Sequence, residues 1–417
     1  MQLQRILNHV EPLKSFVYGR ATLDTSCSPP KVRVQIRERA NGRPECSGCG
    51  KKRPGYDRLP EREFGFVPLW GMMVLWVYAM RRVACPQCGI RVEQVPWGDG
   101  KCQQTRSYRL FLARWAKRLP WQEVARIFNT SWDSVYRAVR FVVSWGVVHR
   151  DESGIVAIGI DEIQWKHGHR FVTLVYQIDS GSRRLLWIGR DRTEKTLHGF
   201  FDLLGSQLRP TLRYVCSDMW SAYLTTVAER AGFALHILDR FHVMANMNKA
   251  IDEVRRAEVR QLKADGYEPI LTRARWCLLK RRENLTDKET VKLSDVLKYN
   301  LKSVRAHLLR EEFQCFWSYK SAAWAQKFLR QWCTQAMRSR LEPMKKVARS
   351  LRRHEALLLN WFRAKGTISS GIVEGLNNKA KVTMRKSYGF RNPDVLETVL
   401  YHNLGDLPEP ESTHKFC

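Results

Sequence analysis

Asp161 follows the apolar run Ile155-Val-Ala-Ile-Gly-Ile160, and Asp218 follows Leu212-Arg-Tyr-Val-Cys-Ser217. A carboxylate that ends a buried strand is held at the edge of a sheet. Two on neighbouring strands can share hard divalent cations such as Mg2+, which take oxygen ligands and keep positions open for phosphate oxygens. Two such ions about 4 Å apart would clamp the attacking and leaving oxygens of an in-line displacement at phosphorus. One aspartate after a strand is usually a turn former. Two at corresponding strand ends reverse that reading. Glu162 adjoins Asp161, but strand alternation directs it to the opposite face. A third carboxylate is expected from a later helix. In 370–386, Glu374, Asn378, Lys381 and Arg385 recur at helical spacing on one face. That face offers an acid for metal, then basic groups for a phosphate backbone. Gly371 and Gly375 lie in the same segment. A helix rarely carries two glycines, at roughly 1 kcal/mol each, unless another backbone or group must come close.

The second chemical pattern is made of thiols. Cys46-Ser-Gly-Cys49-Gly and Cys85-Pro-Gln-Cys88-Gly are matched C-x-x-C-Gly units. Two thiolates at this spacing bite one ion, and the glycine allows the positive φ of a tight turn. Four sulfurs close a tetrahedral Zn2+ site with no catalytic position left, which makes the zinc structural. Strand candidates at 31–39 and 72–82 suit a zinc ribbon. Eleven cysteines, an odd number with no export signal ahead of them, argue against a disulfide framework.

The elements that must position the acids follow from periodicity. Strands are expected at 155–160, 171–178, 184–189, 212–217 and 233–238, with helices at 193–204 and 219–231. Three strands, helix, strand, helix, strand is the order of an RNase-H-like core. Its first and fourth strands are neighbours, so Asp161 and Asp218 would converge. The fifth strand ends at Asp239-Arg-Phe-His242, and the role of His242 stays open.

Upstream, 105–118, 121–128 and the segment from Trp132 onward read as three helices, with Pro120 in a first turn and Ser131 as an N-cap. Val135, Val139 and Val142 share one face of the third; Ser134, Arg137 and Arg140 share another. A short turn before such a helix is how a helix-turn-helix enters the major groove. Downstream, 243–365 is nearly free of Gly and Pro and reads as an all-helical insertion. Its stretch 344–366 holds Lys345, Lys346, Arg349, Arg352, Arg353, Arg363 and Lys365 against one acid, Glu355, which suits a phosphate backbone.

The fold class expected is therefore multidomain α+β. Its domains are a zinc ribbon (1–100), a helix-turn-helix domain (101–150), a core in two parts (151–242 and 366–405) around the insertion (243–365), and a tail (406–417) expected to be disordered after Leu407. The chain has 417 residues, 71 Lys+Arg against 41 Asp+Glu, a net charge of +30 and a pI near 10. With 44% hydrophobic residues it is not a disordered basic tail. The charge points to a polyanion. The longest apolar stretch, 69–80, is too short to span a bilayer, which takes roughly 20 residues. A cytoplasmic, nucleoid-associated location is expected.

Together the CxxCG pairs, the helix-turn-helix, GIDE (159–162), SDMW (217–220), DRFH (239–242) and VEGLNNKAK (373–381) resemble the ISL-three family of bacterial insertion-sequence transposases, over about 40–405. The resemblance implies a DDE transposase with Asp161, Asp218 and Glu374 as catalytic acids. Lys381 matches the basic residue seven positions after the glutamate. Two Mg2+ ions, with Mn2+ as a substitute, would serve cleavage at the element's ends and joining of the 3′-hydroxyl to target DNA. The zinc ribbon and helix-turn-helix would recognise terminal inverted repeats in double-stranded DNA, and a homodimer or larger assembly would hold two ends. Three rivals stand beside this: a catalytically dead DNA-binding regulator, an RNase-H-like nuclease without strand transfer, and a zinc scaffold for protein partners.

Overall fold

The computed structural model describes residues 3–411 except 268–269, 366–367, 369–370 and 388. Contacts divide the chain into two compact units, Met1–Asp151 with Thr383–Cys417, and Glu152–Val382.

The first unit opens with α1 (Leu3–Val10) and strands β1 (Phe16–Asp24), β2 (Lys31–Glu38), β3 (Glu45–Cys46), β4 (Gly55–Leu69), β5 (Met72–Cys85) and β6 (Gly89–Gln94). The sheet order is β1-β2-β5-β6-β3, with β4 paired to β5. The longest apolar stretch straddles the β4–β5 hairpin. Trp70 and Gly71 turn it with φ of 47° and 79°, as a two-residue hairpin loop requires. Trp76 and Trp97 pack at its core with Phe16 and Phe66. Three helices follow: α2 (Arg106–Ala116), α3 (Trp121–Ile127) and α4 (Trp132–Val148). Thr105 Oγ1 accepts from Tyr108 N at 3.2 Å and Ser131 Oγ from Ser134 N at 3.1 Å, so both helices begin at side-chain caps. Pro120 lies just outside α3, at its N-cap and not in the first turn. Val135, Val139 and Val142 are buried.

In the second unit β7 (Ala157–Lys166), β8 (Arg170–Ile178) and β9 (Arg183–Gly189) lead to α5 (Glu194–Leu208), β10 (Tyr214–Ser217), α6 (Ser221–Ala231) and β11 (Leu235–Leu238). The sheet order is β11-β10-β7-β8-β9. β10 runs parallel to both β7 and β11; β7, β8 and β9 are antiparallel. Ile158, Ile160, Val175 and Leu186 pack with Phe200 and Leu204 of α5 and Tyr223 and Val227 of α6. Helices α7 (Arg240–Ala264), α8 (Arg275–Leu279), α9 (Asp287–Leu297), α10 (Lys302–Gln314), α11 (Ala322–Arg338), α12 (Glu342–Arg353) and α13 (Glu355–Arg363) enclose a core of their own around Met247, Phe313, Phe316 and Trp332. Asn360 of α13 donates to the His236 carbonyl of β11 at 2.8 Å, joining that body to the sheet edge.

α14 (Gly371–Lys386) brings the chain back to the sheet. Val373, Leu376, Asn377 and Ala380 are its buried residues. Val373 lies on Gly159 of β7, so closely that a Cβ at Gly159 would stand 2.3 Å from Val373 Cγ2. The unit boundary falls within α14, and α15 (Pro393–Leu404) packs on α4 of the first unit. The expected disordered tail is corrected as far as Glu411. Leu407 and Pro408 sit against Gly146, and Glu409 pairs with Arg114 at 2.8 Å and Lys117 at 3.2 Å. Ser412 and beyond, like Gly366 and Ser370, lie outside the described residues.

Replacing Gly159 by Ala should cost about 1–3 kcal/mol, the usual range for overpacking. Urea unfolding of G159A, alone and with Val373→Ala, measures it. The second change should recover part of the loss. An unperturbed G159A would mean that α14 does not seat here.

Candidate active site

The sheet places three aspartates at one edge. β7 pairs with β10 only as far as Gly159↔Cys216, yet stays paired with β8 to Lys166↔Arg170. Asp161 therefore lies inside a strand and not at its end, as the apolar run suggested, but it stands just past the last rung shared with β10. Asp218 directly follows β10, and Asp239 directly follows β11. All three border the carboxyl ends of parallel strands, where open α/β sheets hold their ligands.

Each carboxylate is anchored. Asp161 Oδ1 accepts from Glu162 N at 2.8 Å, and Oδ2 from Asn377 Nδ2 at 2.6 Å. Asp218 Oδ1 accepts from Trp220 N at 2.9 Å. Asp239 caps α7 through Phe241 N at 2.7 Å, and its other oxygen takes the Nδ1 proton of His242 at 2.9 Å. Burial pushes Asp161 up to about 7; His242 opposes the rise, and Glu162 and Asp218 add to it. Burial also raises Asp218. The Asp239 bond, with the charges of Asp161 and Asp218, pushes His242 up to about 9 against the opposing effect of its burial.

Glu162 turns to the other side. It stands 3.7 Å from Arg192, and burial, then the charge of Asp218, raises its pKa. Arg192 in turn lies over the rings of Phe171 and Trp220. Glu374 is exposed on α14, one turn before Asn377. Among the described residues, the one group of three or more ligand atoms already drawn within 4.8 Å is Cys46, Cys49, Cys85 and Cys88. Asp161, Asp218 and Glu374 are thus not gathered to metal-ligand spacing.

The cysteine cluster fits zinc. Cys49 Sγ and Cys85 Sγ are 3.7 Å apart, and a tetrahedron with Zn–S near 2.3 Å has sulfur–sulfur edges of about 3.8 Å. Gly50 and Gly89, the residues after each knuckle, have φ of 67° and 73°. A Cβ at Gly48 would meet Cys88 Sγ at 2.9 Å, so the first knuckle needs that glycine too.

The sequence profile of the ISL3 (ISL-three) transposase family matches residues 158–400, more than half of the chain and all of this acidic edge. The chain belongs to the ISL3 family of transposases. It is 29% identical to the transposase of insertion sequence IS1001 from Bordetella parapertussis, over 84% of this chain and 86% of that one. It is also 29% identical to the transposase of IS1557 from Mycobacterium tuberculosis, over 88% and 87%. A transposase acts on DNA, which accounts for the charge of +30. No helix among the described residues is long and apolar enough to cross a membrane.

The basic residues expected to meet DNA are mostly exposed. Arg140, Lys346, Lys381 and Arg385 face solvent. Arg137 pairs with Asp133 at 3.0 Å, and Ser134 Oγ bonds Ser131. Lys345 and Arg349 both reach Glu342 in the first turn of α12, an acid just ahead of the basic stretch. Periodicity counted from Glu374 selected Asn378, which is exposed, and passed over Asn377, which is buried. The available signal was that Asn377 interrupts the apolar series Val373, Leu376, Ala380. A polar residue there needs a partner.

A carboxyl raised in the folded state favours folding while protonated and loses that contribution as pH rises through its folded value. In metal-free buffer the transposase should therefore lose stability relative to Asp161→Asn between pH 4 and pH 7. The difference is at most on the order of 4 kcal/mol, for about three pKa units. Melting temperatures across that range measure it. The acceptor lost in D161N gives a constant offset, so the slope is the readout. Parallel pH profiles would show that Asp161 ionises without hindrance.

Proposed function

We propose that this transposase cuts DNA at the terminal inverted repeats of an insertion sequence and joins the freed 3′-hydroxyl to target DNA, with Asp161, Asp218 and Glu374 as its metal-binding acids. The observation that carries the reading is that half-buried Asp161, just past the last rung β7 shares with β10, and Asp218, directly after β10, border one sheet edge and raise each other's or a neighbouring acid's cost of ionising. The order β11-β10-β7-β8-β9 supports an RNase-H-like core. Anions that cost free energy when buried together are what a divalent cation relieves. Mg2+ or Mn2+ bound there would polarise the phosphodiester and lower the pKa of water. The chain's own part is to hold the acids. Backbone N–H groups fix Asp161 and Asp218, and α14 carries Glu374 past the same edge. Glu374 is exposed, and it would have to reorient toward the pair when cation and DNA arrive.

Ser134, Arg137 and Arg140 on α4 read the repeat in the major groove. The one structural zinc on Cys46, Cys49, Cys85 and Cys88 stiffens the domain beside it. Lys345, Lys346 and Arg349 on α12, with Lys381 and Arg385 on α14, contact phosphates. Two ends must be brought together, so the working form is a dimer or larger assembly on DNA, in the bacterial cytoplasm at the nucleoid. No covalent protein–DNA bond is needed, since water and then the DNA 3′-hydroxyl are the nucleophiles.

The test is a plasmid carrying the element's flanking repeats, incubated with protein and Mg2+ or with EDTA. Wild type should cut at the repeat ends and yield joined products. Asp161→Ala, Asp218→Ala and Glu374→Ala should each lose at least about 100-fold in cleavage while still binding the repeats. Binding without cutting by wild type would favour a regulator. Cutting without joining would favour a nuclease.

A further inference from the structure

Asn377 is a buried amide, 5% exposed, on an otherwise apolar helix face, and both its ends are engaged. Nδ2 donates to Asp161 Oδ2 at 2.6 Å, while Oδ1 accepts the Tyr176 hydroxyl at 2.8 Å. The ionised form of Asp161, the one a cation binds, can only accept, so toward it the amide must present its NH2. Its carbonyl then faces Tyr176, whose side chain is fully buried. A flipped amide would set two acceptors against each other at Asp161. The second Asp161 oxygen takes the Glu162 N–H. Each oxygen thus has one protein donor and keeps lone-pair capacity for a cation.

The same helix carries Glu374 three residues earlier, about 4.5 Å along its axis. Val373, the residue before Glu374, is seated on Gly159, two residues before Asp161. One hydrogen bond therefore ties the first acid to the helix that presents the third.

We propose that Asn377 is a positioning residue for divalent-cation binding. It aims the Asp161 carboxylate and sets the register between Asp161 and the Glu374 helix, while Tyr176 keeps its amide the right way round. This rests on the acid site proposed above. Partners of metal-binding carboxylates commonly change metal affinity by about 10–100-fold when removed.

Full-length wild type, Asn377→Ala, Tyr176→Phe and Asp161→Ala are titrated with Mn2+ in calorimetry. Repeat-DNA affinity is measured alongside, and cleavage is followed against Mn2+ concentration. Asn377→Ala should weaken Mn2+ binding about 10-fold or more, leave DNA affinity unchanged, and recover cleavage as Mn2+ is raised. That recovery is what a general packing defect would not give. Tyr176→Phe should weaken Mn2+ binding less, by about 3-fold. Unchanged Mn2+ affinity in Asn377→Ala, with binding lost in Asp161→Ala, would overturn the positioning role alone. Should Asn377→Ala fail to fold, an unchanged affinity in Tyr176→Phe would overturn it equally. Wild-type Mn2+ binding by Asp161→Ala would instead remove the acid site on which the proposal stands.

Discussion

Negative charge crowded at a half-buried sheet edge governs the second unit. β7, β10 and β11 run parallel, and each delivers an aspartate to the same edge. Burial raises Asp161 and Asp218, and each feels another acid nearby. Side chains around them answer this in part. His242, leaning on Asp239, eases Asp161 and Asp218; Arg192 pairs with Glu162 and also eases Asp218. The remaining deficit is the physical reason to expect a cation. A fold that only needed stability would place apolar residues there, since uncompensated buried charge is costly.

Helix α14 is the second half of that design. Its apolar residues dock on the sheet, Gly159 makes room for Val373, and Asn377 engages Asp161. Glu374 stays in solvent. Asp161 and Asp218 are thus anchored by backbone donors, and Glu374 rides exposed on a docked helix.

Much of this could be read from residue types and spacing. The five strands of the acidic sheet, the two helices between them and the Glu374 helix were legible, because buried strands show apolar runs and amphipathic helices a 3.6-residue period; α7 to α13 were legible only as one helical stretch. The thiol cluster was legible because C-x-x-C-Gly states its geometry locally. What escaped depended on tertiary register. Asp161 was expected at a strand end because the apolar run stops there, whereas β7 continues as a hairpin with β8 after β10 has ended. Asn377 was missed in favour of Asn378, since i,i+4 spacing from Glu374 tracks the exposed face. The tail was expected to be loose on its prolines, but Glu409 finds Arg114 and Lys117 some 290 residues away in sequence, a pairing that no local pattern announces.

The central claim is that the edge formed by Asp161, Asp218 and Glu374 holds the catalytic cations. Anomalous diffraction from crystals of the protein bound to repeat DNA and soaked in Mn2+ tests it most directly. The account predicts two manganese peaks about 4 Å apart, both within ligand distance of Asp161, with Asp218 and Glu374 each on one. Manganese bound elsewhere, or Glu374 still turned to solvent with both ions in place, would contradict it.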